Sequence, residues 1–357
     1  MKKSLLFIFT MIVVLAMIVA IGTGCKQAAV ETTAAAETTA AAETTAAPET
    51  TAAPETTAAA EKKVYSIAHF WPIVSVPYPA TAIPATQKVI EDAGHKYQLL
   101  DSNLDAALQA NQVDDAITQK VDGIILFPVD SKAIVPSLEK AFNAGIPVLI
   151  SYAKVPEEAE KFTIGYAGPD DYKAGYLSGE MMNKALNGEG KIVLVEGAAG
   201  QEQTILRTKG FETALKDLNS KIEIVARQNC PWDKAKATTI MADFLVKYPD
   251  LNGVFAHDDP MGAGAGLAVK EAGIDSGKII VIGYGGSKDG LAAIQEGLIY
   301  GTHLQSPVFT GTDEGKRILE YLDTGMKLPQ QLDPYFSFSD IPEITKDNFE
   351  KFLPGEW

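Results

Sequence analysis

Residues 253–273, GVFAHDDPMGAGAGLAVKEAG, contain side chains suited to three different kinds of chemistry. An apolar run leads into His257, Asp258 and Asp259, which could bind a metal ion or act as a general acid and base. The glycines of GAGAG follow at once, and a glycine-rich turn before a helix can cradle a phosphate. A metal site, a catalytic site and a phosphate site are therefore the three hypotheses for this segment.

The phosphate and metal hypotheses each lack a required part of their pattern. The glycines give GxGxG after an acidic turn and a proline, whereas a dinucleotide loop needs GxGxxG. Glycines at this spacing instead allow the start of a helix to lie close to a sheet. His257 has no second histidine at ligand spacing, and adjacent carboxylates on one turn rarely converge on one ion. We therefore expect neither a metal nor any other cofactor.

The catalytic hypothesis also has little support. No G-x-S-x-G elbow occurs, Cys230 precedes a proline, and the four histidines lack an obvious nucleophile partner. We expect no enzyme activity, and a cell-surface hydrolase using His257 and Asp258 remains the alternative from a different class. Asp258 could instead act as the N-cap of the helix that follows, although Asp259 is the better capping candidate.

The overall composition limits the class of protein and partner. The chain has 357 residues, a formal net charge of -15 and 46% hydrophobic residues. Such a chain is long enough for two domains that each bury a core. The acidic balance and the lack of a basic cluster argue against nucleic acid as a partner.

The N-terminus, MKKSLLFIFTMIVVLAMIVAIGTGC, is typical of a targeting segment, since two lysines precede a long apolar stretch and small residues. Residues 5–21 are nearly long enough to span a bilayer, so a transmembrane anchor is the alternative. Cys25, directly after Gly-Thr-Gly, resembles the lipobox of bacterial lipoproteins, although Gly22 replaces the preferred branched apolar residue. That resemblance implies a signal peptide over residues 1–24 and a lipidated Cys25. Cys230 then has no partner for an internal disulfide.

Residues 31–60 repeat the six-residue unit ETTAAA or ETTAAP. Paired threonines and the two prolines argue against a helical spacer, and nothing in the unit can pack into a core. We predict that residues 25–61 form a disordered tether behind the lipidated cysteine.

From residue 64 onward, short apolar runs alternate with amphipathic stretches of helical length. The runs include VYSIA, GIILF, KIVLVEG, GVFA and IIVIGY, and the helix candidates include residues 106–120, 134–144, 172–186, 205–218, 234–247, 263–272 and 310–323. This alternation is typical of α/β proteins whose parallel sheets are covered by helices on both faces. The elements exceed what one sheet needs, so we predict two α/β lobes. Ligands of such sheets bind beyond the carboxyl ends of the strands, where this chain offers aromatic and hydrogen-bonding residues.

Seven segments, taken in order, resemble the ribose/galactose type of periplasmic sugar-binding protein. They are QKVIEDAGHKYQLLDS, VDGIILFPVDSKAI, AGIPVLI, EGAAGQEQTILRTKGF, VFAHDDPMGAGAGLAV, VIGYGGSKDG and GTHLQSP, and the likeness covers nearly all of residues 64–325. The fold of that family is two similar lobes, each a parallel sheet flanked by helices, joined by three crossovers with a ligand cleft between them. The resemblance implies crossovers near residues 167–171, 305–307 and 332–335.

The same resemblance implies how the lobes interleave along the chain. We expect the N-terminal lobe to contain residues 62–168 and 306–331, and the C-terminal lobe to contain residues 169–305 and 332–357. The tail SFSDIPEITKDNFEKFLPGEW is longer than the ribose-type pattern, and no motif in it indicates a role.

The resemblance also implies which residues contact ligand. Arg207 falls on the family's arginine, whose planar fork of donors suits two adjacent hydroxyls. Trp232 matches an aromatic residue that stacks on the apolar face of a sugar, with a core tryptophan as the alternative. Asp258 matches a residue that hydrogen-bonds ligand hydroxyls, and Gln305 matches a hinge glutamine. His257, beside Asp258, is a further candidate contact.

Tyr78 aligns with another aromatic residue of the clamp, and Phe70 or Trp71 are alternatives for that role because two extra residues nearby shift the alignment. Where ribose-type proteins have hydrogen-bonding residues, this chain has Phe127 and Tyr152.

A further departure from the ribose-type pattern is Gly285, which stands where that pattern has an aspartate. Each ligand hydroxyl left unpaired in a dry cleft costs about 1 to 3 kcal/mol. We therefore expect a less hydroxylated, larger or aromatic-bearing ligand, such as a deoxy- or modified sugar, a nucleoside or an autoinducer-like furanose.

These features together predict an extracytoplasmic solute-binding lipoprotein that closes on a small polar ligand and delivers it to a membrane ABC permease. We expect a monomer that is attached to the outer face of the cytoplasmic membrane by its lipid. A sensor subunit that hands its closed state to a membrane receptor is the first alternative. A sugar-responsive repressor is disfavoured because the chain has an export signal and no helix-turn-helix segment.

Overall fold

A computed structural model describes residues 63–357 of the chain. The expected signal peptide, the lipidation site at Cys25 and the repeat tether lie outside the described residues. Among the described residues, no helix has both the length and the apolar composition that crossing a bilayer requires.

The first sheet has the strand order β11-β5-β4-β3-β1-β2, and every neighbouring pair is parallel. Its strands are β1 (Ser66–Trp71), β2 (Lys96–Asp101), β3 (Gly123–Leu126), β4 (Val148–Ser151), β5 (Gly165–Gly168) and β11 (Phe336–Phe338). The sequences GIIL of β3 and VLIS of β4 are buried at every residue. Such uninterrupted apolar runs are what a central parallel strand needs, because helices cover both of its faces.

The second sheet has the order β12-β10-β9-β8-β6-β7. Its strands are β6 (Glu189–Glu196), β7 (Lys221–Asn229), β8 (Gly253–Ala256), β9 (Ile280–Ile282), β10 (Gly301–His303) and β12 (Glu343–Thr345). All pairs are parallel except β10 with β12, which is antiparallel because the tail returns along the edge of the sheet.

Helices flank both sheets. Beside the first sheet, α1 (Pro79–Asp92) packs against α9 (Pro307–Asp323), and α2 (Ala106–Gln119) packs against α3 (Val135–Asn143). Beside the second sheet lie α4 (Asp171–Ala185), α5 (Glu202–Asp217), α6 (Lys234–Lys247), α7 (Asp259–Glu271) and α8 (Lys288–Gln295). Short 3-10 helices occur at Glu157–Phe162 and Phe349–Phe352. The prediction of two α/β lobes, each a parallel-dominated sheet flanked by helices, is confirmed.

The chain passes between the sheets after β5, after β10 and after β11. We predicted the third crossover near residues 332–335 and assigned residues 332–357 to the C-terminal lobe, and this boundary is wrong. Leu332 lies in the core beside the first sheet, and β11 pairs with β5 through Phe336 and Tyr166. The third crossover therefore lies between β11 and β12, at residues 339–342.

The glycines of GAGAG lie inside α7 and form no loop. A Cβ at Gly264 would lie 2.3 Å from the main-chain oxygen of Lys234, the first residue of α6. Glycine is needed at this position because the two helices approach each other closely.

Candidate functional site

A cleft of about 720 Å³ lies between the carboxyl edges of the two sheets. Its aromatic lining consists of Trp71, Tyr78, Phe127, Tyr152, Trp232 and Trp357. Its hydrogen-bonding lining consists of Gln201, Gln203, Arg207, Asp258 and Gln305. Trp71 ends β1, Phe127 follows β3, Tyr152 follows β4 and Asp258 follows β8, so the cleft occupies the position where open α/β sheets place their ligands.

Arg207 is held in place by four residues from other parts of the second lobe and the hinge. It projects from α5, donates from Nε to Oδ1 of Asp171 at 2.8 Å and from Nη1 to the main-chain oxygen of His257 at 2.5 Å. Its guanidinium carbon lies 4.3 Å from the ring centroid of Tyr284, and Nη2 lies 3.4 Å from Oε1 of Gln305. A fork of donors fixed in this way keeps one N–H, on Nη1, for a ligand oxygen.

Asp258 both caps a helix and lines the cleft. Its Oδ1 accepts a hydrogen bond from the N–H of Met261 at 2.7 Å, which makes it the N-cap of α7. Burial raises the pKa of its carboxyl to about 7. We predicted Asp259 as the better cap, and this is wrong, because Asp259 lies inside the first turn. Its carboxylate instead accepts from the N–H of Ser287 at 2.7 Å.

His257 does not place its ring in the cleft, contrary to our prediction. The side chain is fully buried, Nδ1 accepts from the N–H of Gly197 at 3.3 Å, and Nε2 lies 3.4 Å from Oγ1 of Thr208. Burial holds the pKa of the His257 imidazole well below its usual range. Neighbouring residues on extended backbone point to opposite sides, so His257 and Asp258 do not form the acid and base of a hydrolase.

Four of the predicted contacts form one aromatic wall in the first lobe. The ring of Phe127 stacks on Tyr152 with centroids 5.2 Å apart, and Trp71 lies 4.9 Å from Tyr152 and 5.4 Å from Phe127. Tyr78 meets Tyr152 edge to face at 5.5 Å. Tyr78 and Trp71 therefore both line the cleft, whereas Phe70, the other alternative, is buried in the core.

Behind this wall lies a neutral polar network. Trp71 donates from Nε1 to Nε2 of His69 at 2.7 Å, and Nδ1 of His69 lies 2.9 Å from the hydroxyl of Tyr97. Burial lowers the pKa of His69 to about 3 and raises the pKa of the adjacent Glu314 carboxyl to about 8. His69 and Glu314, 3.3 Å apart, are thus both uncharged at neutral pH.

Trp232 forms the opposite wall from the second lobe. Its backbone has φ of 58°, an unusual conformation for a residue other than glycine, and its Nε1 donates to Oε1 of Gln201 at 2.8 Å. The edge of its ring lies over Gly197, where a Cβ would come within 2.1 Å of Cη2 of Trp232. The strand end at Gly197 therefore makes room for the indole.

Eight of the nine residues predicted as ligand contacts line the cleft, all except His257. Three further aromatic or hydrogen-bonding residues of the lining were not indicated by the sequence. Gln201 and Gln203 lie at the start of α5, just beyond the glycine-rich turn that follows β6. The motif EGAAGQEQ contained them, but only Arg207 was selected from that segment. Trp357 comes from the tail, far from any strand end that could have indicated it.

Comparison with known proteins identifies related sequences and folds. A family model described as a periplasmic binding protein domain matches residues 67–321. A xylitol-binding protein of Mycolicibacterium smegmatis is 35% identical over 253 residues, which cover 70% of this chain and 68% of that protein. A ribose import binding protein of Bacillus subtilis is 29% identical over 279 residues, which cover 76% of this chain and 88% of that protein.

A solved structure gives the same result at the level of the fold. A solute-binding protein of an ABC transporter from Agrobacterium vitis, with bound D-fucose, matches with a TM-score of 0.74 and 28% identity over 81% of this chain and 98% of that one. These relatives are binding proteins and not enzymes, in agreement with the expectation that no catalytic activity is present.

Proposed function

The chain belongs to the periplasmic binding protein family, and on that premise we propose that it captures a small sugar or sugar-like molecule between its two lobes and delivers it to an ABC permease. The observation that carries the proposal is the division of the cleft into apolar and polar walls. Four aromatic rings of the first lobe face a set of hydrogen-bonding side chains centred on Arg207, and the rings of Trp232 and Trp357 complete the lining. A sugar has the same two sides, because its C–H faces stack on aromatic rings while its hydroxyls need fixed donors and acceptors.

The balance between the two walls indicates the class of sugar. Phe127 and Tyr152 give the first lobe an apolar surface, so a hydroxyl directed toward it would lose its hydrogen bonds at a cost of about 1 to 3 kcal/mol. We propose a ligand that presents an apolar edge or substituent to this surface, such as a deoxy- or modified sugar. The bound D-fucose of the related structure, a 6-deoxy sugar with a methyl group, supports this class of ligand.

The family implies a location outside the cytoplasm. We propose in addition that Cys25 carries the lipid that holds the protein at the membrane, since the small residues before it end a long apolar stretch. The lobes would then work at the end of the repeat tether, close to the permease.

Mass spectrometry of the small molecule that co-purifies with the protein tests the proposal directly. Calorimetric titration of that molecule then distinguishes a binding cleft from a hydrolase site. Arg207→Ala and Trp232→Ala are each expected to weaken binding about ten- to a hundredfold, because a charge-assisted bond is worth about 1.5 to 3 kcal/mol and a stacked ring a comparable amount. Asp258→Asn, which keeps an acceptor, should cost less.

Two further variants complete the titration. Arg227→Ala is the matched control, because this arginine lies on the surface of the same lobe and pairs with Glu212. A hydrolase would give the opposite ranking, with His257→Ala and Asp258→Asn abolishing turnover of the molecule and Trp232→Ala having a mild effect.

A further inference from the structure

The tail places the indole of Trp357 in the cleft, at the boundary between the lobes. The side chain is 8% exposed and lines the cleft. Its ring meets that of Tyr78, from the first lobe, edge to face at a centroid distance of 5.0 Å. Its Nε1 lies 3.3 Å from the main-chain oxygen of Gly285, in the second lobe, to which it donates.

Gly285 makes room for this ring. A Cβ at that position would lie 2.4 Å from Cζ2 and 3.1 Å from Cη2 of Trp357. Any side chain at residue 285 would therefore compete with the indole for the same space. At this end of the cleft the wall is therefore formed by Trp357 of the tail, and not by a side chain at residue 285 after β9.

The tail is tied to both lobes just before it reaches the cleft. The carboxylate of Glu356 accepts from Oγ of Ser306 at 2.6 Å and from the N–H of Val308 at 3.2 Å, and its main-chain oxygen accepts from Oγ1 of Thr81 at 3.1 Å. The main-chain oxygen of Trp357 accepts from the N–H of Lys288 at 2.6 Å. These contacts hold the indole in one position.

Which ligand groups this wall can bind depends on the hydrogen-bond partner of its one polar atom, Nε1 of Trp357. The Nε1 of Trp357 is used by Gly285, as that of Trp71 is used by His69 and that of Trp232 by Gln201. An indole whose N–H is bonded to protein offers a ligand only carbon surface. All three indoles of the cleft therefore recognise C–H groups and give a ligand hydroxyl no partner.

We propose that Trp357 contacts the ligand and determines specificity, selecting sugars that present an apolar edge, such as the methyl group of a 6-deoxy sugar, in preference to their hydroxylated counterparts. This inference rests on the proposed sugar-binding function. It assigns a role to the tail: residues 343–357 pair with the second sheet through β12 and then deliver a ligand-facing ring.

Calorimetry with two matched sugar pairs tests the inference. D-fucose differs from D-galactose, and L-rhamnose from L-mannose, only in having a methyl group in place of a hydroxymethyl group. The full chain should bind the deoxy member of at least one pair about ten- to a hundredfold more tightly, the range that an apolar pocket gives against an added hydroxyl. Trp357→Ala should weaken binding of that sugar by about tenfold or more and bring the two members within about threefold of each other.

Two variants control for indirect effects. Trp357→Phe keeps an apolar ring and should retain most of the preference. Lys351→Ala changes an exposed side chain of the same tail and should bind as the wild type does. Wild-type affinity and preference in Trp357→Ala would overturn the inference while leaving the proposed function intact, and so would a preference for the hydroxylated sugars. If none of the four sugars binds the wild type, sugar binding of this class fails and the inference fails with it.

A second measurement checks the position of the ring without any ligand. Gly285 has φ of 144°, so Gly285→Ala strains the backbone both in the wild type and in Trp357→Ala. In the wild type the new methyl group also collides with the indole of Trp357. In a double-mutant cycle the strain cancels, so Gly285→Ala should lower the free energy of unfolding more in the wild type than in Trp357→Ala. Equal losses in the two backgrounds would contradict the placement of the ring over Gly285.

Discussion

Arg207 directs both Nε and Nη2 to the same carboxylate oxygen of Asp171, each at 2.8 Å, and the two side chains are at most 5% exposed. Asp171 is the first residue of α4 and follows the crossover from the first lobe directly. Burial raises the pKa of its carboxyl, although the charge of Arg207 opposes that effect. The arginine that faces the cleft is thus oriented by a residue at the hinge between the lobes.

Asp171→Asn is expected to weaken ligand binding even though Asp171 does not line the cleft. The change removes the charge that orients the guanidinium and leaves a buried cation without its partner, so stability should fall as well, by an amount approaching the roughly 3 to 5 kcal/mol of a broken buried pair. Affinity should fall about tenfold or more if the guanidinium then turns toward another acceptor. Asp170→Asn is the matched control, because Asp170 caps α4 and asparagine caps a helix equally well. Equal effects of the two changes, measured by calorimetry and urea unfolding, would contradict the role given to Asp171.

Gly197→Ala should impair binding through Trp232. The new methyl group would lie 2.1 Å from the edge of the indole, so the ring has to move from its place on the wall. We expect affinity for the co-purifying ligand to fall about tenfold, comparable to the loss of one stacking contact. In a Trp232→Ala background the same change should have little further effect on affinity. A loss that is the same in both backgrounds would mean that Gly197 acts independently of the ring.

Glu314 should contribute stability that decreases as the pH rises from about 4.5 to 8. Its ordinary pKa is 4.5 and burial raises it to about 8, so over this interval the unfolded chain releases a proton that the folded chain retains. The contribution is fully present below pH 4.5 and is lost above 8. For one proton the slope reaches about 1.4 kcal/mol per pH unit. Glu314→Gln should flatten the profile measured by urea unfolding, and Glu320→Gln, at an exposed position on the same helix, should not.

The Glu314→Gln profile should be flattened but not level. Burial also raises the pKa of Asp258 and Glu202 to about 7 each, and both shifts act in the same direction. The lowered pKa values of the buried His69, His257 and His303 act in the opposite direction below about pH 6.5. Equal slopes of the wild type and Glu314→Gln between about pH 6.5 and 8, where the histidines are neutral in both states, would contradict the burial of Glu314 as a neutral carboxyl.

Ligand binding should bring the lobes together. The cleft lies between two sheets joined by three crossovers, and contacts to both walls at once require closure. We expect the radius of gyration from small-angle X-ray scattering to fall as ligand saturates, and the unfolding temperature to rise, with about 2.7 kcal/mol of stabilisation at a hundred times Kd. The same protein without ligand provides the reference. A scattering curve that is unchanged by a ligand shown to bind calorimetrically would rule out closure.

Cys25 is expected to be the first residue of the mature protein and to carry lipid. Labelling of producing cells with a fatty-acid analogue should mark the wild-type protein, and Cys25→Ala should remove the label. Cys230→Ala is the control, because that cysteine is buried in the second lobe and should not affect labelling. Label retained in Cys25→Ala would exclude the lipoprotein hypothesis.

Much of the fold could be predicted because its signals are local. The periodicity of residues 234–247 predicted α6 with the same bounds, and the apolar run GIIL predicted a strand buried on both faces. The start of α7 was predicted four residues late, at residue 263 instead of Asp259. The third crossover was misplaced because β11 is three residues long, and its pairing with β5 depends on the tertiary structure and not on its own sequence.

The candidate site was predictable where it follows strand ends and unpredictable where it does not. Phe127, Tyr152 and Asp258 come directly after apolar runs, and the topology of a parallel sheet brings such residues together. His257 was wrongly included, although alternation along extended backbone predicts that neighbours face opposite sides. Trp357 reaches the cleft only through the path of the tail, which no periodicity encodes.

The chain contains three tryptophans, and Trp71, Trp232 and Trp357 all line the cleft. Intrinsic fluorescence excited selectively at the indole band therefore originates at the ligand site and nowhere else in the protein. Exclusion of water from the cleft should shift this emission to the blue, and a soluble quencher such as acrylamide should lose access to the rings. The unlabelled protein is consequently an optical sensor of its own occupancy, and replacing each tryptophan by phenylalanine in turn would resolve the signal into the two opposing walls and the tail.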